Sequence, residues 1–255
     1  MRPSDEFHVL GRLPRIGGMH PSIFGPELEH QLVRTFFDYR PGTFVDVGAN
    51  DPVKDSQTWH LEQIGWTGVL IEPLPELAAR LRAERRASVV QAACSAPERS
   101  GRTAPLKVAG AFSSLQAELR VVGATAESEI EVRLTTLDEV LRARSIESID
   151  LLSLDVEGHE IEALRGLSLE RFRPRLILIE DHALGLRQHR ALTGRGYRLV
   201  RRTGLNAWYV PVDSTMRLSL LGRWQLFRKY VIGLPFRRLR QVLRRWRSEL
   251  RGWKQ

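Results

Sequence analysis

The amino-acid sequence predicts an α/β fold in which helices cover both faces of a mostly parallel sheet. Short apolar segments typical of buried strands alternate along the chain with segments whose apolar residues have helical spacing. Such alternation is typical of parallel βαβ units, whose sheets are buried on both faces. Only a short turn at Thr203-Gly204 joins the last two predicted strands, which leaves no room for a crossover helix. We therefore expect the last pair of strands to be antiparallel.

The predicted elements run from a lead helix at residues 26–39, which Pro41-Gly42 ends, to a last strand at residues 206–210. A less regular insertion separates two groups of elements. Within it, EIEVRL at 129–134 alternates like a strand with one exposed face, and TTLDEVL at 135–141 resembles a capped helix start. The other predicted elements are strands 43–47, 68–71, 88–92, 150–154, 175–179 and 197–200, and helices 56–64, 75–85, 160–167 and 186–193.

Length and composition predict one large domain with extensions at both ends. The 255 residues are 42% apolar, enough for a single sizeable core. We expect an N-terminal extension with the lead helix at 1–42, the main domain at 43–211 and a tail at 212–255. One cysteine, Cys94, excludes an intramolecular disulfide and a thiolate metal cluster. The N-terminus lacks the apolar stretch of a signal peptide, and no run of about eighteen apolar residues follows, so we expect a cytoplasmic protein.

The positive charge of the chain is concentrated in its tail. Residues 216–255 contain twelve Lys or Arg and one acid, Glu249, for a net charge of +11. Since the whole chain has 39 basic and 30 acidic residues, residues 1–215 have a net charge of −2. The sequence therefore argues against a general nucleic-acid-binding surface on the main domain and predicts a basic C-terminal arm.

The first strand and the loop after it, FVDVGANDP, predict a ligand site. In sheets of this kind ligands bind at the carboxyl ends of the strands, and Gly48 would let a ligand approach the backbone. The loop lacks the G-x-G-x-x-G pattern that binds a pyrophosphate. Asp46 within the strand suggests a positively charged ligand, and Glu72, at the end of the second strand, has the position that binds ribose hydroxyls. A ribose with a cationic, phosphate-free neighbour describes S-adenosylmethionine.

Acidic residues also follow the fourth and fifth parallel strands. Asp155, Glu157 and His159 come after DLLSL, and Glu180 and Asp181 follow RPRLILI. Crowded carboxylates at a buried edge destabilise a fold unless positive groups or donors compensate them, so we expect a cation or a hydroxyl-rich ligand there.

Two hypotheses for this edge remain open. In one, Asp155, Glu180 and Asp181 hold a divalent ion such as Mg2+, which acidifies a substrate hydroxyl. In the other, which we favour, the carboxylates bind hydroxyls and the methionine amine directly while His159 takes the proton. A lone histidine at a helix start, however, more often packs there than catalyses.

Five stretches taken in order resemble the FkbM family of S-adenosylmethionine-dependent methyltransferases. They are VDVGAND, GWTGVLIEPLPE, DLLSLDVEGHEIEALRGL, RPRLILIED and GLNAWYV, and the resemblance runs from about residue 43 to residue 210. Many members have glycine soon after the asparagine, where this chain has Asp51-Pro52 and resembles a subgroup with N-D-P. The chain lacks the Asn-Pro-Pro-aromatic run of enzymes that methylate nucleic-acid bases.

The resemblance implies a class I methyltransferase domain at 43–211, with a Rossmann-like seven-stranded sheet and an antiparallel last strand. It implies methyl transfer to a hydroxyl, often of a sugar or glycan. The residues that would bind the cofactor are Asp46, Gly48 and Asn50 at its methionine end, Ser56 at the start of the following helix, Glu72 at its ribose, and Asp155. Asp155 and Glu157 would stand at the methyl-transfer edge opposite Glu180, and His159 occupies a position that varies in the family.

The tail predicts a basic amphipathic helix. In FRRLRQVLRRWRSELRGW, residues 236–253, aromatic and aliphatic residues form one stripe and arginines lie largely outside it. Such a helix is typical of an interfacial membrane anchor, which would place the protein on the inner face of the membrane. The alternative is a helix that packs on the core or a partner while arginine stems cover apolar surface.

Two other functions compete with the enzyme. The chain could be a methyltransferase fold that has lost its cofactor and docks a membrane glycosylation assembly. An RNA methyltransferase that uses the basic tail as a handle is a weaker candidate, because only the tail is basic.

Overall fold

The computed structural model describes residues 26–109, 113–115, 128–181, 186–218, 220–236 and 239. Its helices are α1 Pro26–Phe36, α2 Trp59–Glu62, α3 Pro75–Glu84, α4 Leu137–Ala143, α5 Glu160–Arg165, α6 Leu169–Phe172, α7 Arg187–Thr193 and α8 Leu220–Phe227. Its strands are β1 Thr43–Val47, β2 Thr67–Ile71, β3 Ser88–Val90, β4 Ala93–Cys94, β5 Thr103–Val108, β6 Ser128–Thr135, β7 Leu151–Leu154, β8 Leu176–Glu180, β9 Tyr197–Thr203 and β10 Asn206–Pro211.

The main sheet has seven strands in the order β3-β2-β1-β7-β8-β10-β9. The neighbouring pairs from β3 to β8 are parallel, and β10 is antiparallel to both β8 and β9. The predicted α/β class and the antiparallel last strand are therefore confirmed. Because the chain crosses from β3 to β7, the strand order reverses between β1 and β7. Ligands of doubly wound sheets bind at the carboxyl ends of the strands at such a point.

Alternating side chains of the strands enter two separate cores, one on each face of the sheet. Phe44 packs with Val33 and Leu81 on the face covered by α1, α2 and α3. Val45 packs with Leu137 and the other residues of the face covered by α4 to α7. Both faces are thus buried, as the apolar character of these strands predicts.

The insertion forms a small three-stranded sheet in the order β4-β6-β5. The predicted strand at 129–134 is β6, and the predicted capped helix is α4. Thr136 caps α4 with its side chain, which accepts from the Glu139 N–H while the Glu139 carboxylate accepts from the Thr136 N–H. Strand β5 was not predicted, because TAPLKV contains a proline and a lysine, which are depleted in strands.

Backbone geometry explains why two predicted helices are shorter in the structure. The lead helix ends at Phe36 because Asp38 and Tyr39 have positive φ angles of 52° and 56°. The second helix is one short turn, since Asp55 with φ 59° and Gly65 with φ 88° bound it. Helix α6 was not predicted.

After β10 the chain continues into α8 and a π-helical turn, Arg228–Ile232. Most of the amphipathic helix predicted at 236–253 lies outside the described residues. In the part of the chain that the structure describes, no helix has both the length and the apolar character needed to cross a membrane. The division at residues 42 and 211 stays a prediction.

Candidate active site

The carboxyl ends of four adjacent parallel strands bring acidic residues to one edge of the sheet. Asp46 lies within β1 and Glu72 directly follows β2, while Asp155 directly follows β7 and Glu180 ends β8. Since β1 and β7 flank the point where strand order reverses, Asp46 and Asp155 lie on either side of it. The sequence predicted this convergence, because carboxyl ends of parallel strands meet at one edge.

The loop after β1 uses its own N–H groups inside the fold. Gly48 and Ala49 donate to the carbonyl oxygen of Ile71, at 2.9 and 3.2 Å, and the Asn50 N–H donates to Glu72 Oε2 at 2.9 Å. A pyrophosphate site needs such N–H groups directed at the ligand. Three successive N–H groups therefore already donate to Ile71 and Glu72. The loop does not direct them at a ligand, as the pyrophosphate site of a dinucleotide-binding fold does.

Gly48 has a structural role in addition to the predicted one. Its φ is 82°, and a Cβ added there would lie 1.8 Å from the carbonyl oxygen of Asp155. The structure therefore requires glycine for a left-handed backbone and for close approach of the chain after β7. That this glycine admits a ligand stays a prediction.

Glu72 is held in one orientation by two backbone donors. Its Oε2 accepts from Asn50 and its Oε1 accepts from the Leu74 N–H, also at 2.9 Å. Burial raises the pKa of this carboxyl, the two N–H groups act against that, and Asp46 adds to the increase. Each carboxylate oxygen has a second lone pair, so Glu72 can still accept hydrogen bonds from ribose hydroxyls.

Asp46 is buried and is held by a side-chain donor. The Thr58 hydroxyl donates to Asp46 Oδ2 at 2.6 Å. Burial raises the pKa of this carboxyl, whereas the Thr58 hydrogen bond and the nearby Arg85 charge favour the ionised form. Asn50 itself has a φ of 51°, which turns the loop between the two acids.

Arg85 is a buried arginine that sequence reasoning missed. Its guanidinium pairs with Glu62 at 2.9 Å and donates to the Thr58 hydroxyl at 3.0 Å, to the Ser56 hydroxyl at 3.1 Å and to the Pro52 carbonyl at 3.0 Å. It therefore fixes the chain between β1 and α2. Nothing in the sequence separates Arg85 from the exposed arginines beside it.

Ser56, predicted to line the cofactor site, is buried and occupied by local contacts. Its Oγ accepts from Arg85 and from the N–H of Trp59 at 3.2 Å. The structure therefore places this hydroxyl at the helix start, as expected, but assigns it to holding the loop.

On the other side of the strand reversal, Asp155, Glu157 and Glu180 form a carboxylate cluster. One ligand oxygen from each lies within 4.8 Å of the others. The loss of hydration around Asp155, then repulsion from Glu180 and Glu157, raises the pKa of its carboxyl well above the ordinary value. Asp155 is nevertheless exposed to solvent, so a ligand can reach it.

The loop that carries Glu157 is held by a sharp turn and by the insertion. Glu157 and Gly158 have φ angles of 47° and 105°. The Ser114 hydroxyl donates to the Glu157 carbonyl at 2.7 Å, and the Gly158 N–H donates to Glu160 Oε1 at 2.7 Å. The insertion thus supports the cluster from outside the main sheet.

His159 lies outside the carboxylate cluster. It is buried at the start of α5, and its Nε2 lies 3.1 Å from the Ser95 hydroxyl of the insertion. Burial, and then the charge of Arg99, lower the pKa of this imidazole. These contacts match the packing alternative for His159 rather than the proton-accepting one.

Asp181 is also turned away from the cluster, although it follows Glu180 directly. Its carboxylate pairs with Arg202 at 2.8 Å and accepts from the Tyr230 hydroxyl. Successive side chains of a strand point to opposite faces, which explains the separation. The acids brought together are Asp155, Glu157 and Glu180, and not the predicted metal set of Asp155, Glu180 and Asp181.

The donor set of the cluster fits a hard cation as well as hydroxyl groups. Opposite oxygens around Mg2+ are about 4.2 Å apart and around Ca2+ about 5 Å apart. The 4.8 Å spread of the three acids is close to these values. The cluster could hold such an ion with all three carboxylates, or it could accept hydrogen bonds from an acceptor molecule.

A family model described as the methyltransferase FkbM domain matches residues 46–199. A crystal structure of methyltransferase FkbM from Methylobacillus flagellatus KT is 14% identical in sequence, with a TM-score of 0.43. The alignment covers 73% of this chain and 50% of that chain, so this chain matches about half the length of that protein. Among curated proteins no match was found.

Proposed function

This chain belongs to the FkbM methyltransferase family, and we propose that it is an S-adenosylmethionine-dependent O-methyltransferase whose acceptor is a sugar or glycan hydroxyl. One observation carries the proposal: the acids at a single sheet edge fall into two sets. Glu72 and Asp46 are oriented by donors of the chain, and Asp155, Glu157 and Glu180 are crowded together. The first set suits a cofactor, and the second suits the acceptor.

The cofactor side of the edge suits S-adenosylmethionine because it offers negative charge and no phosphate cradle. Glu72 would accept from the ribose hydroxyls, and Asp46 and Asn50 would face the methionine end. When bound, S-adenosylmethionine supplies an activated methyl group on a positively charged sulfur. The donors that hold Glu72 and Asp46 fix both carboxylates beforehand, which lowers the ordering cost of binding.

The acceptor side would bind and deprotonate a hydroxyl. In our proposal the Asp155 carboxylate would accept the proton of the acceptor hydroxyl, while bound S-adenosylmethionine would supply the methyl group that the hydroxyl oxygen takes. A raised pKa makes Asp155 a stronger base than an ordinary aspartate. Asp155 replaces His159 in this role, because His159 packs against Ser95.

Several close carboxylates favour an acceptor with several hydroxyl groups. Each carboxylate accepts hydrogen bonds only, and Asp155, Glu157 and Glu180 together offer many acceptor positions and no donor when ionised. A sugar supplies the donors that such a surface lacks. Phosphate-rich acceptors such as RNA would instead meet repulsion from this cluster.

The test is a methyl-transfer assay with S-adenosylmethionine that is isotopically labelled in the methyl group. Acceptors would be mono- and oligosaccharides, a non-sugar alcohol and RNA, each with Mg2+ and with a chelator. We expect label in an ether-linked methyl of a sugar, and at least about a hundredfold less with Asp155→Asn. Loss of activity with the chelator would favour the metal-assisted route over Asp155 as base. Label in RNA, or cofactor binding without any transfer, would contradict the proposal.

A further inference from the structure

Among the residues that the structure describes, the exposed apolar side chains are concentrated in one short stretch after residue 219. We define the docking segment as residues 220–236 together with Leu239. Of the ten large apolar side chains that are exposed in the described part of the chain, six lie in this segment. They are Trp224, Phe227, Val231, Ile232, Phe236 and Leu239. Single exposed apolar residues are ordinary, but such a concentration marks an interaction surface.

The docking segment is fixed to the folded domain through its other side. Leu234 is buried, and the Tyr230 hydroxyl contacts Arg202 at 2.6 Å and Asp181. Arg202 also lies over the Tyr230 ring, 5.6 Å from its centroid. The exposed apolar side is therefore presented by a segment that is already docked on β9 and the end of β8.

Arginines accompany the apolar side chains. Arg223 and Arg228 are exposed within the docking segment, and Arg217 is exposed just before it. The sequence from 216 to 255 has a net charge of +11, whereas residues 1–215 have a net charge of −2. The attraction for an anionic surface is thus confined to the same end of the chain as the apolar side chains.

We propose that the docking segment binds the surface of an anionic lipid membrane. Exposed aromatic and aliphatic side chains in one helical segment, with exposed arginines among them, match the composition of an interfacial helix. A negatively charged leaflet attracts each nearby Lys or Arg, and Trp224 and Phe236 would enter the headgroup boundary. Aliphatic side chains such as Val231 and Ile232 offer little to nucleic-acid bases, which makes RNA the weaker partner.

Docking would occur next to the end of β8. Tyr230 of the docking segment contacts Asp181, the residue directly after Glu180. A membrane bound by this segment therefore contacts the part of the molecule that holds the end of β8. The inference concerns where the protein acts and does not depend on whether it transfers methyl groups.

The experiment is co-flotation of the full-length protein with vesicles. Vesicles of phosphatidylcholine with about one third phosphatidylglycerol would be compared with pure phosphatidylcholine at low and high salt. We expect binding to the anionic vesicles that weakens as salt rises. Trp224→Ser with Phe236→Ser should reduce the partition coefficient at least about tenfold, because each buried aromatic side chain contributes that much or more.

Two matched controls distinguish binding through the docking segment from nonspecific adsorption to vesicles. Tyr39→Ser with Val53→Ser removes exposed apolar side chains elsewhere on the molecule, and partitioning should not change. Arg217→Gln, Arg223→Gln and Arg228→Gln should reduce it about tenfold or more. The same charge change at Arg82, Arg133 and Arg144, exposed on the main domain, should not. A thermal melt of each variant checks that it is folded.

Three results would overturn the proposal. The first is absence of binding to anionic vesicles, and the second is equal loss in the matched controls. The third is tighter binding to a single-stranded RNA homopolymer than to vesicles, abolished by the arginine substitutions but not by Trp224→Ser with Phe236→Ser. That third pattern would assign the segment to nucleic acid.

Discussion

The two halves of the acidic edge contain the same residue types in different surroundings. At the ends of β1 and β2, Glu72 and Asp46 accept hydrogen bonds from donors that the fold aims at them. At the ends of β7 and β8, Asp155, Glu157 and Glu180 lie near one another, and repulsion contributes to the raised pKa of Asp155. An acid that accepts hydrogen bonds from the chain contributes to the stability of the fold, whatever ligand it also binds. Crowding leaves an acid poised to take a proton or a cation.

Among the substitutions that test this difference, Asp155→Asn should have the largest effect. We expect activity to fall by about a hundredfold to ten-thousandfold, since a positioned base contributes about that much. The melting temperature should stay the same or rise, because the change removes repulsion with Glu180 and Glu157. Initial rates and thermal melts of both proteins would check this. Full activity would show that Asp155 is not the base, and an unfolded variant would show that the fold requires this carboxylate.

Arg85→Met tests how much the buried Arg85 contributes to the stability of the chain around the ends of β1 and β2. Breaking one side of a buried ion pair costs about 3–5 kcal/mol, and Glu62 would be left uncompensated. Denaturant unfolding would measure the loss. Arg82→Met, on an exposed arginine of the same helix, should change stability little. Adding Glu62→Gln to Arg85→Met should restore part of the stability, because it removes the uncompensated charge and keeps an acceptor for the Arg86 and Ala87 N–H groups. A double variant as weak as the single one would exclude the uncompensated charge as the cause.

Glu72→Gln sharpens the contrast with Asp155→Asn. An amide has one acceptor oxygen, so either the Asn50 or the Leu74 N–H would face an amide NH2 and lose its partner. An unsatisfied buried donor costs about 1–3 kcal/mol. We expect lower stability together with weaker S-adenosylmethionine binding, measured by thermal melts and calorimetry. Unchanged values of both would mean that Glu72 neither stabilises the loop nor binds the cofactor.

Glu29 of α1 gives the smallest effect, and it depends on pH. Its carboxylate accepts from the Thr203 hydroxyl and from Asn206 Nδ2 at 2.7 Å, yet burial raises its pKa to about 6 from 4.5. The native state therefore holds this proton more tightly than the unfolded state. Stability then falls as pH rises from about 4.5 through about 6, by about 2 kcal/mol in all.

Glu29→Gln should remove that loss, since an amide can accept from Asn206 and donate to the Thr203 hydroxyl. Unfolding of both proteins at pH 5 and at pH 7.5 would measure it. Relative to that of the wild type, the free energy of unfolding of the variant should be higher at pH 7.5 than at pH 5. An equal difference at the two pH values would mean that Glu29 does not titrate in this range.

The sequence predicted what depends on strand order and alternation, and it missed what depends on side-chain partners far apart in the chain. Asp46, Glu72, Asp155 and Glu180 could be placed at one edge, because each follows from where an apolar strand ends. The Arg85–Glu62 pair joins the residue directly after α3 to the last residue of α2, and no local pattern predicts it. The direction of His159 likewise depends on Ser95 in the insertion, whose packing the sequence did not reveal.

The most direct test of the account is calorimetric titration with S-adenosylmethionine and S-adenosylhomocysteine. The wild type would be compared with Glu72→Ala, Asp155→Asn and the matched control Glu76→Ala, whose side chain is exposed in the first turn of α3. We predict micromolar binding that Glu72→Ala weakens at least about tenfold and that Asp155→Asn and Glu76→Ala largely keep. A folded wild type that binds neither compound, or binding that all three variants reduce alike, would contradict the division of this edge into a cofactor half and an acceptor half.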